Sequence, residues 1–296
     1  MKKVSVIIPT YNNEGTILRA VNSVLNQTYK NIEVIIINDG STDNTDYVLE
    51  AVKKKKNVKY YKQRNMERSY ARNRGIENAS GEYIGFLDAD DEYLEDKIEK
   101  QVHFLEEHSS YAMVYSNVLY EVDGRLVKKR YGRLEGRIYP KIIKKLSFFH
   151  TPNVLLRKEV FDKICFDERM TIHEDWDLWI NIAKKYEVGF LDEYVCIIHK
   201  AKNKTIDYTE YVLNDLYLLN KLLSDKTLST YYRNYVTGKI YYEILSRGLK
   251  AETCSAELEN YMFNAATSLL LSFQLTKLLK LVPIYLLLKR RPGVYL

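Results

Sequence analysis

The sequence contains few cysteines, and none of them is spaced to bind zinc. The 296 residues include only Cys165, Cys196 and Cys254, which form no CxxC pair. An odd number of widely separated cysteines indicates neither a disulfide framework nor a zinc site. This usage favours a reducing compartment, so we expect a cytoplasmic protein.

Glycine-rich phosphate-binding motifs are also missing. No GxGxxG follows the first apolar run, and no GxxxxGK[ST] occurs in the chain. The dinucleotide-binding and P-loop classes therefore lose their main support. The net charge is +6, which suits phosphate-bearing ligands or an anionic membrane surface and indicates no nucleic-acid partner.

The first half of the chain alternates strand-like and helix-like segments. Four apolar runs rich in β-branched or aromatic residues predict buried strands at Val4–Ile8, Ile32–Ile37, Val58–Tyr61 and Tyr83–Leu87. Helically spaced apolar residues lie between them. This order predicts an α/β fold with a doubly wound, mostly parallel sheet of the Rossmann-like kind. Ligands of such sheets bind beyond the carboxyl ends of the strands.

The pattern changes after Ala112. Strand-like segments flank Asp123-Gly124, a hairpin turn signal. The basic stretch Lys128–Lys145 is weakly patterned, so we expect a mobile loop there. Further elements are predicted as strands Asn153–Arg157, Val188–Leu191 and Val195–Ile198 and as a helix over Trp176–Lys185. From about Tyr208 onward the pattern is helical throughout.

Three acidic clusters follow strands or begin a helix. Asp39 follows the second strand, Asp88-Ala89-Asp90-Asp91 follows the fourth, and Glu174-Asp175 precedes an apolar helix. Carboxylates beyond a buried strand suit Mg²⁺ or Mn²⁺ shared with substrate phosphates. Glu174-Asp175 is a separate candidate for proton transfer. Each cluster taken alone could instead be a turn or a helix cap.

Four segments together resemble the family 2 glycosyltransferases. They are VSVIIPTYNNEGTI, VIIINDGSTDNT, ARNRGIENASGEYIGFLDADD and HEDWDLW, in the order that the family shows. The resemblance implies a GT-A catalytic domain over residues 1–203, with a nucleotide-sugar half (about 1–110) and an acceptor half (about 111–203). A C-terminal helical region would cover residues 204–296.

The resemblance also implies which residues hold the donor. The first nucleotide-binding loop would contain Pro9, Thr10 and Tyr11, with Glu14 at an acidic position common in that loop. By the same resemblance Asp39 hydrogen-bonds the base and Asp88 contacts the ribose. Arg72 of the ARN motif would approach the base or the diphosphate.

The remaining roles concern the metal and the proton. Asp90 of the DxD signature is implied as a ligand of Mn²⁺ or Mg²⁺, and Asp175 as the catalytic base. His199 lies where many relatives place a histidine near the diphosphate or metal. Many relatives have an arginine two residues before it, whereas this chain has Ile197, so the match is weaker there.

The implied activity is transfer of a hexosyl or N-acetylhexosaminyl group, with inversion, from a nucleotide sugar to an acceptor hydroxyl. UDP is the expected carrier, and a glycan or lipid-linked glycan of polysaccharide or glycoconjugate biosynthesis is the expected acceptor. Three alternatives stay open: a protein-linked glycan as acceptor, a non-catalytic sugar-nucleotide or glycan-binding module, and a nucleotidyltransferase. Retained carboxylates argue against the second, and the missing glycine-rich loop argues against the third.

An amphipathic segment near the C-terminus predicts peripheral association with the cytoplasmic face of the plasma membrane. One helical face would carry Leu271, Leu275, Leu278, Leu279 and Val282. A second apolar run, Ile284–Leu288, precedes the basic residues Lys289–Arg291. The alternative is that this segment packs on the catalytic domain.

Overall fold

A computed structural model describes residues 1–199, 208–250, 264, 267 and 268. The chain divides into two units, Met1–Asn203 and Lys204–Leu296. This division falls close to the boundary expected from the sequence near Lys202–Thr205.

Within the described residues, nine strands form one sheet in the first unit. They are β1 (Val4–Thr10), β2 (Ile32–Asn38), β3 (Val58–Lys62), β4 (Tyr83–Phe86), β5 (Glu92–Tyr93), β6 (Tyr111–Val122), β7 (Arg125–Lys129), β8 (Val154–Arg157) and β9 (Glu187–His199). The spatial order is β3-β2-β1-β4-β8-β6-β9-β5, and β7 pairs with β6. Every residue of β2 is buried, including Glu33 and Asn38 among its β-branched residues, as expected for a strand covered on both faces.

Helices connect these strands and follow them in the second unit. They are α1 (Ile17–Leu25), α2 (Thr45–Val48), α3 (Glu50–Lys53), α4 (Glu67–Glu77), α5 (Lys97–Glu107), α6 (Glu174–Lys185), α7 (Tyr208–Ser224) and α8 (Thr230–Lys250). Short 3-10 helices cover Lys141–Lys144, Leu146–Phe148, Thr151–Asn153 and Lys158–Asp162.

Helix α4 buries an unusual face. Its buried residues include Ser69, Arg72 and Gly75, whereas α1 buries an aliphatic stripe. A Cβ atom at Gly75 would lie 2.4 Å from Cγ2 of Ile7, so glycine lets α4 approach β1 closely. This close approach carries Arg72 into the interior.

Strand directions bring six carboxyl ends to one side of the sheet. Strands β1, β2, β3 and β4 are mutually parallel. Strand β8 is antiparallel to both β4 and β6, so β6 runs in the direction of β4, and β9 is parallel to β6. We call this shared side the carboxyl edge.

The first half of the sheet is parallel as expected, and the second half is mixed. Antiparallel pairing of β4 with β8, β6 with β8, β6 with β7 and β5 with β9 produces the difference. The two strands expected at 188–191 and 195–198 are one strand, β9, whose pairing with β6 shifts register around Asn117. The α/β class is confirmed.

The stretch Lys128–Lys145 is more ordered than its sequence suggested. It begins at the end of β7, and Tyr131, Ile138, Ile142 and Ile143 are buried. The apolar residues of this stretch are widely spaced among basic ones, so no periodicity showed the anchor points. The expected turn at Asp123-Gly124 is present, with positive φ at both residues (50° and 75°).

The described part of the second unit consists chiefly of α7 and α8, which pack together. Arg247 Nη1 donates to Oδ2 of the buried Asp215 across this pair, at 3.1 Å. Among the described residues no helix has the length and apolar character needed to cross a bilayer. The amphipathic segment predicted at 271–291 lies outside the described residues.

Candidate active site

The carboxyl edge collects side chains that follow β1, β2 and β4. Thr10 ends β1, Asp39 directly follows β2, and Asp88 lies two residues beyond β4. The Asp39 amide donates to the Thr10 carbonyl at 2.8 Å, which fixes the first two strand ends against each other. Pro9, one residue earlier, is paired within the sheet opposite Ile37.

Asp39 is almost completely buried beside this edge. Its Oδ1 accepts hydrogen bonds from Gln63 Nε2 at 2.6 Å and from the Met66 amide at 2.9 Å. Gly40 follows with φ of +80°, and a Cβ there would lie 2.7 Å from the Asn65 amide nitrogen. The carboxylate is therefore held in one orientation by the segment between β3 and α4.

The loop after β1 is tied to the loop after β2. The Asn13 amide donates to Thr45 Oγ1 at 2.9 Å, and Glu14 Oε2 accepts from the Asn44 amide at 2.8 Å. Glu14 thus joins two loops, while Tyr11 beside it is 47% exposed. These two hydrogen bonds hold the loops together, and the Tyr11 side chain is exposed for contact with a ligand.

Arg72 lies at the centre of the site and joins two carboxylates. Its Nη2 donates to Asp88 Oδ1 and its Nη1 to Glu174 Oε1, both at 2.7 Å. The guanidinium is 3% exposed, and its Nε is buried without a hydrogen-bond partner. Burial alone would lower the pKa of Arg72, but the two carboxylates raise it.

Asp88 has a protein donor on each oxygen. Arg72 donates to Oδ1, and Thr151 Oγ1 donates to Oδ2 at 2.8 Å. Burial acts to raise the pKa of Asp88, but the Arg72 guanidinium lowers it below its usual value. Asp88 is therefore an ionised acceptor in a fixed orientation.

Asp90 and Asp91 place two more carboxyl groups in the loop that carries Asp88. Burial, together with the charges of Asp88 and Asp90, raises the pKa of Asp91 to about 9. Asp90 is partly buried, and its backbone oxygen accepts from Arg19 Nη2 at 2.7 Å. Closely spaced carboxylates that oppose one another's ionisation fit a site for a cation.

The donor set fits Mg²⁺ or Mn²⁺ better than a metal held by protein alone. Among the residues that the structure describes, no three His, Cys, Asp or Glu side chains form a metal-binding group. These ions commonly use one or two carboxylates and complete their shell with phosphate oxygens and water. Asp90 offers one carboxylate for such a site.

His199, the other expected ligand, faces carboxylates in this structure. Its Nε2 lies 2.7 Å from Glu92 Oε1 and its Nδ1 lies 3.6 Å from Glu121 Oε2. Its amide donates to Asp91 Oδ1 at 2.9 Å. His199 is therefore close to the DxD loop, and ligation of a metal would require it to release Glu92.

Asp175 and Glu174 start α6 and have different surroundings. Glu174 is 4% exposed and paired with Arg72. Asp175 Oδ1 accepts the Trp176 amide at 2.8 Å, and burial followed by the charge of Glu174 raises the pKa of Asp175 to about 7. A carboxylate with a pKa near 7 is suited to accept a proton at neutral pH.

The two tryptophans of α6 are also distinct. Trp179 is completely buried in the core. Trp176 is partly exposed and stacks on His173, with ring centroids 4.0 Å apart. His173 has φ of 60°, a left-handed conformation that begins the helix and turns this ring towards Trp176.

Sequence reasoning missed one cluster at this edge. His150 Nε2 lies 2.9 Å from the Tyr131 hydroxyl and 3.1 Å from the Tyr120 hydroxyl. Burial lowers the pKa of His150 to about 4, so the ring is neutral, and the tautomer decides whether Nε2 donates or accepts. The adjacent Thr151 holds Asp88. No acidic motif marks these residues, and they precede a strand whose direction the sequence did not indicate.

Comparison with known protein families identifies the chain. The family model described as Glycosyl transferase family 2 matches residues 5–165. The amylovoran biosynthesis glycosyltransferase of Erwinia amylovora is 33% identical over 212 residues, which cover 67% of this chain and 68% of that protein.

Other relatives differ in length. An uncharacterized glycosyltransferase of Rickettsia conorii is 37% identical over 232 residues, which cover 73% of this chain but 38% of the relative. The chain thus spans well under half of that protein. A Campylobacter jejuni β-1,3-glucosyltransferase, named for GalNAc(5)-diNAcBac-PP-undecaprenol, is 28% identical over 270 residues, covering 85% of this chain and 86% of the relative.

Solved structures show the same fold. S. aureus TarS 1–349 in complex with UDP superposes with a TM-score of 0.67 at 20% identity, covering 94% of this chain and 88% of the TarS chain. The complex of TarS with UDP-GlcNAc gives 0.66 at 22% identity, covering 91% and 81%. The expected GT-A fold is confirmed.

Proposed function

Because the chain belongs to glycosyl transferase family 2, we propose that it is an inverting glycosyltransferase that moves a sugar from a nucleoside diphosphate to an acceptor hydroxyl. The observation that carries this proposal is the sorting of two adjacent carboxylates. Arg72 pairs with Glu174, whereas Asp175 beside it has a pKa near 7. Such sorting is what a proton-transfer site requires.

The donor would bind along the carboxyl edge. We assign binding of the nucleobase to Asp39 and binding of the ribose to Asp88. Pro9, Thr10 and Tyr11 would line the pocket. The oriented carboxylates of Asp39 and Asp88 support hydrogen bonds to hydroxyl or imide groups. UDP is the proposed carrier, and the UDP and UDP-GlcNAc complexes of TarS support that choice.

Two of the donor-binding residues would act indirectly. Glu14 would keep the loops after β1 and β2 together through its bond to the Asn44 amide. Arg72 would act on the donor through Asp88, and a direct contact with base or diphosphate would require one of its ion pairs to open. Both residues would therefore shape the pocket before the donor arrives.

A divalent cation, Mn²⁺ or Mg²⁺, would be held by Asp90 and the donor diphosphate, with His199 as a second protein ligand. When bound, it would supply positive charge to the departing diphosphate. The crowding of the carboxyl groups of Asp88, Asp90 and Asp91, in which the first two oppose ionisation of the third, supports the assignment.

The chemical step would be a direct displacement. The acceptor oxygen forms a bond to the anomeric carbon while the bond from that carbon to the diphosphate oxygen breaks, and Asp175 takes the acceptor proton. Attack from the face opposite the leaving group inverts the anomeric centre. Burial, followed by the charge of Glu174, keeps the pKa of Asp175 high enough to hold that proton.

We propose a glycan or lipid-linked glycan of polysaccharide or glycoconjugate biosynthesis as acceptor, used at the cytoplasmic face of the membrane. The names of the E. amylovora and C. jejuni relatives support this class. A protein-linked glycan is the second acceptor candidate. A non-catalytic module is less well supported, because a pure binding protein has no use for the raised pKa of Asp175.

A donor panel tests the proposal. The full chain would be incubated with nucleotide sugars and Mn²⁺, and the slow release of nucleoside diphosphate and free sugar would be measured without an acceptor. We expect release from one nucleotide sugar above all others, with UDP as product. Consumption of added pyrophosphate, with release of nucleoside triphosphate and sugar 1-phosphate, would instead indicate a nucleotidyltransferase. Release from no donor would contradict the proposal.

A further inference from the structure

The hairpin strand of the first unit combines exposed apolar and basic side chains. All five residues of β7 are exposed, and Leu126 and Val127 are 55% and 50% exposed. These two adjacent apolar residues are surrounded by Arg125, Lys128, Lys129 and Arg130. Arg130 is paired with Asp192, so three cations are left around the apolar pair. We call residues 125–130 the basic hairpin segment.

The basic hairpin segment lies at the carboxyl edge and extends past the end of β8, while β9 pairs with β6 as far as Glu121. Strand β6 pairs with β8 up to Tyr115 and with β7 from Val118 to Val122. At ~3.3 Å per residue, the stretch from Tyr115 to Val122 extends about 23 Å past the last pairing with β8. Because β6 runs parallel to β4, this extension points the same way as the loop that carries Asp88.

The β6 strand of the hairpin contacts residues near the candidate site. Val127 is opposite Tyr120, whose hydroxyl lies 3.1 Å from His150 Nε2. Leu126 is opposite Glu121, whose carboxylate lies 3.6 Å from His199 Nδ1. A surface in contact with the hairpin would therefore lie next to the carboxyl edge, where the candidate catalytic residues are.

We propose that the basic hairpin segment docks on the anionic surface of a phospholipid bilayer and turns the carboxyl edge towards that surface. Leu126 and Val127 would enter the headgroup region, where an apolar pair flanked by cations is stable. Arg125, Lys128 and Lys129 would lie among anionic headgroups. The purpose of this docking rests on the proposed function, since a lipid-linked acceptor would be delivered at that face.

Edge protection explains only part of the pattern. Lysines on an edge strand prevent pairing with other chains, and β7 has such an edge. That reason accounts for Lys128 and Lys129, but it does not account for two large apolar side chains exposed between Arg125 and Lys128. A partner surface that is anionic outside and apolar beneath accounts for both.

The test compares two matched double charge reversals in the full chain. One is Lys128→Glu with Lys129→Glu, and the control is Lys54→Glu with Lys55→Glu. The control lysines are exposed and precede β3, at the opposite side of the sheet from the carboxyl edge. A third variant, Leu126→Ser with Val127→Ser, keeps the charge and removes the apolar pair. Binding would be measured by co-sedimentation with vesicles of phosphatidylglycerol and phosphatidylcholine, and with phosphatidylcholine alone.

We expect the unmodified chain and the 54/55 control to sediment with the anionic vesicles, more weakly at high salt. The 128/129 variant should bind on the order of tenfold more weakly or worse, because two attractive charges become repulsive. The serine variant should also lose affinity. All variants should keep acceptor-independent hydrolysis of the nucleotide sugar, which confirms folding and is measured without lipid.

Three results would overturn the inference. Equal sedimentation of the 128/129 variant and the 54/55 control would place docking elsewhere. Absence of vesicle binding by the unmodified chain would exclude this partner, and binding to soluble polyphosphate in its place would identify an anionic polymer as the occupant. An unchanged serine variant would exclude insertion of the apolar pair. Failure of the proposed function appears separately, as absence of donor hydrolysis with vesicle binding intact.

Discussion

The two halves of the first unit position their functional side chains by different means. In the parallel half, Thr10, Asp39 and Asp88 follow strand ends, and bonds between loops fix them. In the mixed half, Thr151 precedes β8, and Asp175 starts a helix. There a buried polar network does the positioning: the Asn153 side chain bonds the carbonyls of Ser116 and Phe148, and Gln101 bonds the Asn153 carbonyl.

This difference teaches where each kind of function should be sensitive to mutation. Changes in the parallel half should act on donor binding, because its loops form the proposed nucleotide wall. Changes in the mixed half should act on transfer, because its side chains surround the proposed base. Arg72 joins the halves through Asp88 and Glu174, so it belongs to both.

Replacing the proposed base should give the largest effect. Asp175→Asn preserves size but cannot accept the acceptor proton, so we expect kcat for transfer to fall about 10²–10⁴-fold with little change in donor KM. Asp162→Asn, the same change at an exposed position, is the control. Steady-state kinetics with a competent acceptor would measure both. A larger loss for Glu174→Gln than for Asp175→Asn would transfer the role of base to Glu174.

The same residue predicts a pH dependence. Burial and the charge of Glu174 raise the pKa of Asp175 to about 7, so the carboxylate is protonated and inactive below that pH. We expect kcat to rise with pH through a limb near 7, and Asp175→Asn to remove the limb from its residual rate. At pH values between the pKa of Asp175 in the unfolded chain and its pKa of about 7 in the folded chain, the folded state binds more protons than the unfolded state. The contribution of this group to the free energy of unfolding therefore falls as pH rises. Asp175→Asn should therefore raise Tm more at pH 8 than at pH 5.

Removal of the proposed metal ligand should give the next largest effect. Asp90→Ala should lower turnover by about a hundredfold, because charge on the leaving diphosphate would be less well stabilised. EDTA should have a similar effect on the unmodified protein, reversed by Mn²⁺. Asp96→Ala, a partly exposed aspartate paired with Lys100, is the matched control. Full activity in EDTA would remove the metal from the mechanism.

A change in the parallel half should act on binding instead. Asp39→Ala removes the carboxylate proposed to bond the base, and we expect donor Kd to rise about tenfold while kcat changes less. Asp39→Asn keeps the shape and separates loss of charge from loss of the bonds to Gln63 and Met66. Calorimetry with UDP would report the change. An unchanged Kd for every nucleoside diphosphate would refute the assignment of nucleobase binding to Asp39.

The sequence predicted the parallel half well for a physical reason. Buried parallel strands read as continuous apolar runs, and their ends mark the ligand edge, so the places of Asp39 and Asp88 follow from sequence pattern alone. The mixed half offered no such rule. The direction of β8 depends on pairing between residues far apart in sequence, and Lys97, whose Nζ is buried against Gln101 and the Val154 carbonyl, carries no local signal of its place.

Local sequence was also insufficient to decide which of Glu174 and Asp175 is the proposed catalytic base. The motif HEDWDLW presents two carboxylates, and local sequence does not distinguish them. The distinction comes from Arg72, which lies about a hundred residues earlier and reaches the interior because Gly75 lets α4 approach β1. The family resemblance indicates Asp175, which stays a prediction, and the ion pair between Arg72 and Glu174 supports it.

Thr151 offers the sharpest test of how the mixed half positions the site, since no motif identified it. Its hydroxyl donates to Asp88 Oδ2 at 2.8 Å, opposite the Arg72 bond to Oδ1, so it fixes the rotation of the carboxylate proposed to meet the ribose. Thr151→Val keeps the shape of the side chain and removes this bond. A hydrogen bond to a charged group is worth about 1.5–3 kcal/mol, and the remaining Arg72 bond should limit the loss to about fivefold in donor KM. Thr151→Ser restores the hydroxyl and should restore KM, which a merely structural role of the methyl group would not allow. If Thr151→Val leaves donor KM unchanged, or if Thr151→Ser is as impaired as Thr151→Val, donor binding does not depend on the Thr151 bond to Asp88. Arg72 would then be the remaining link between the two halves.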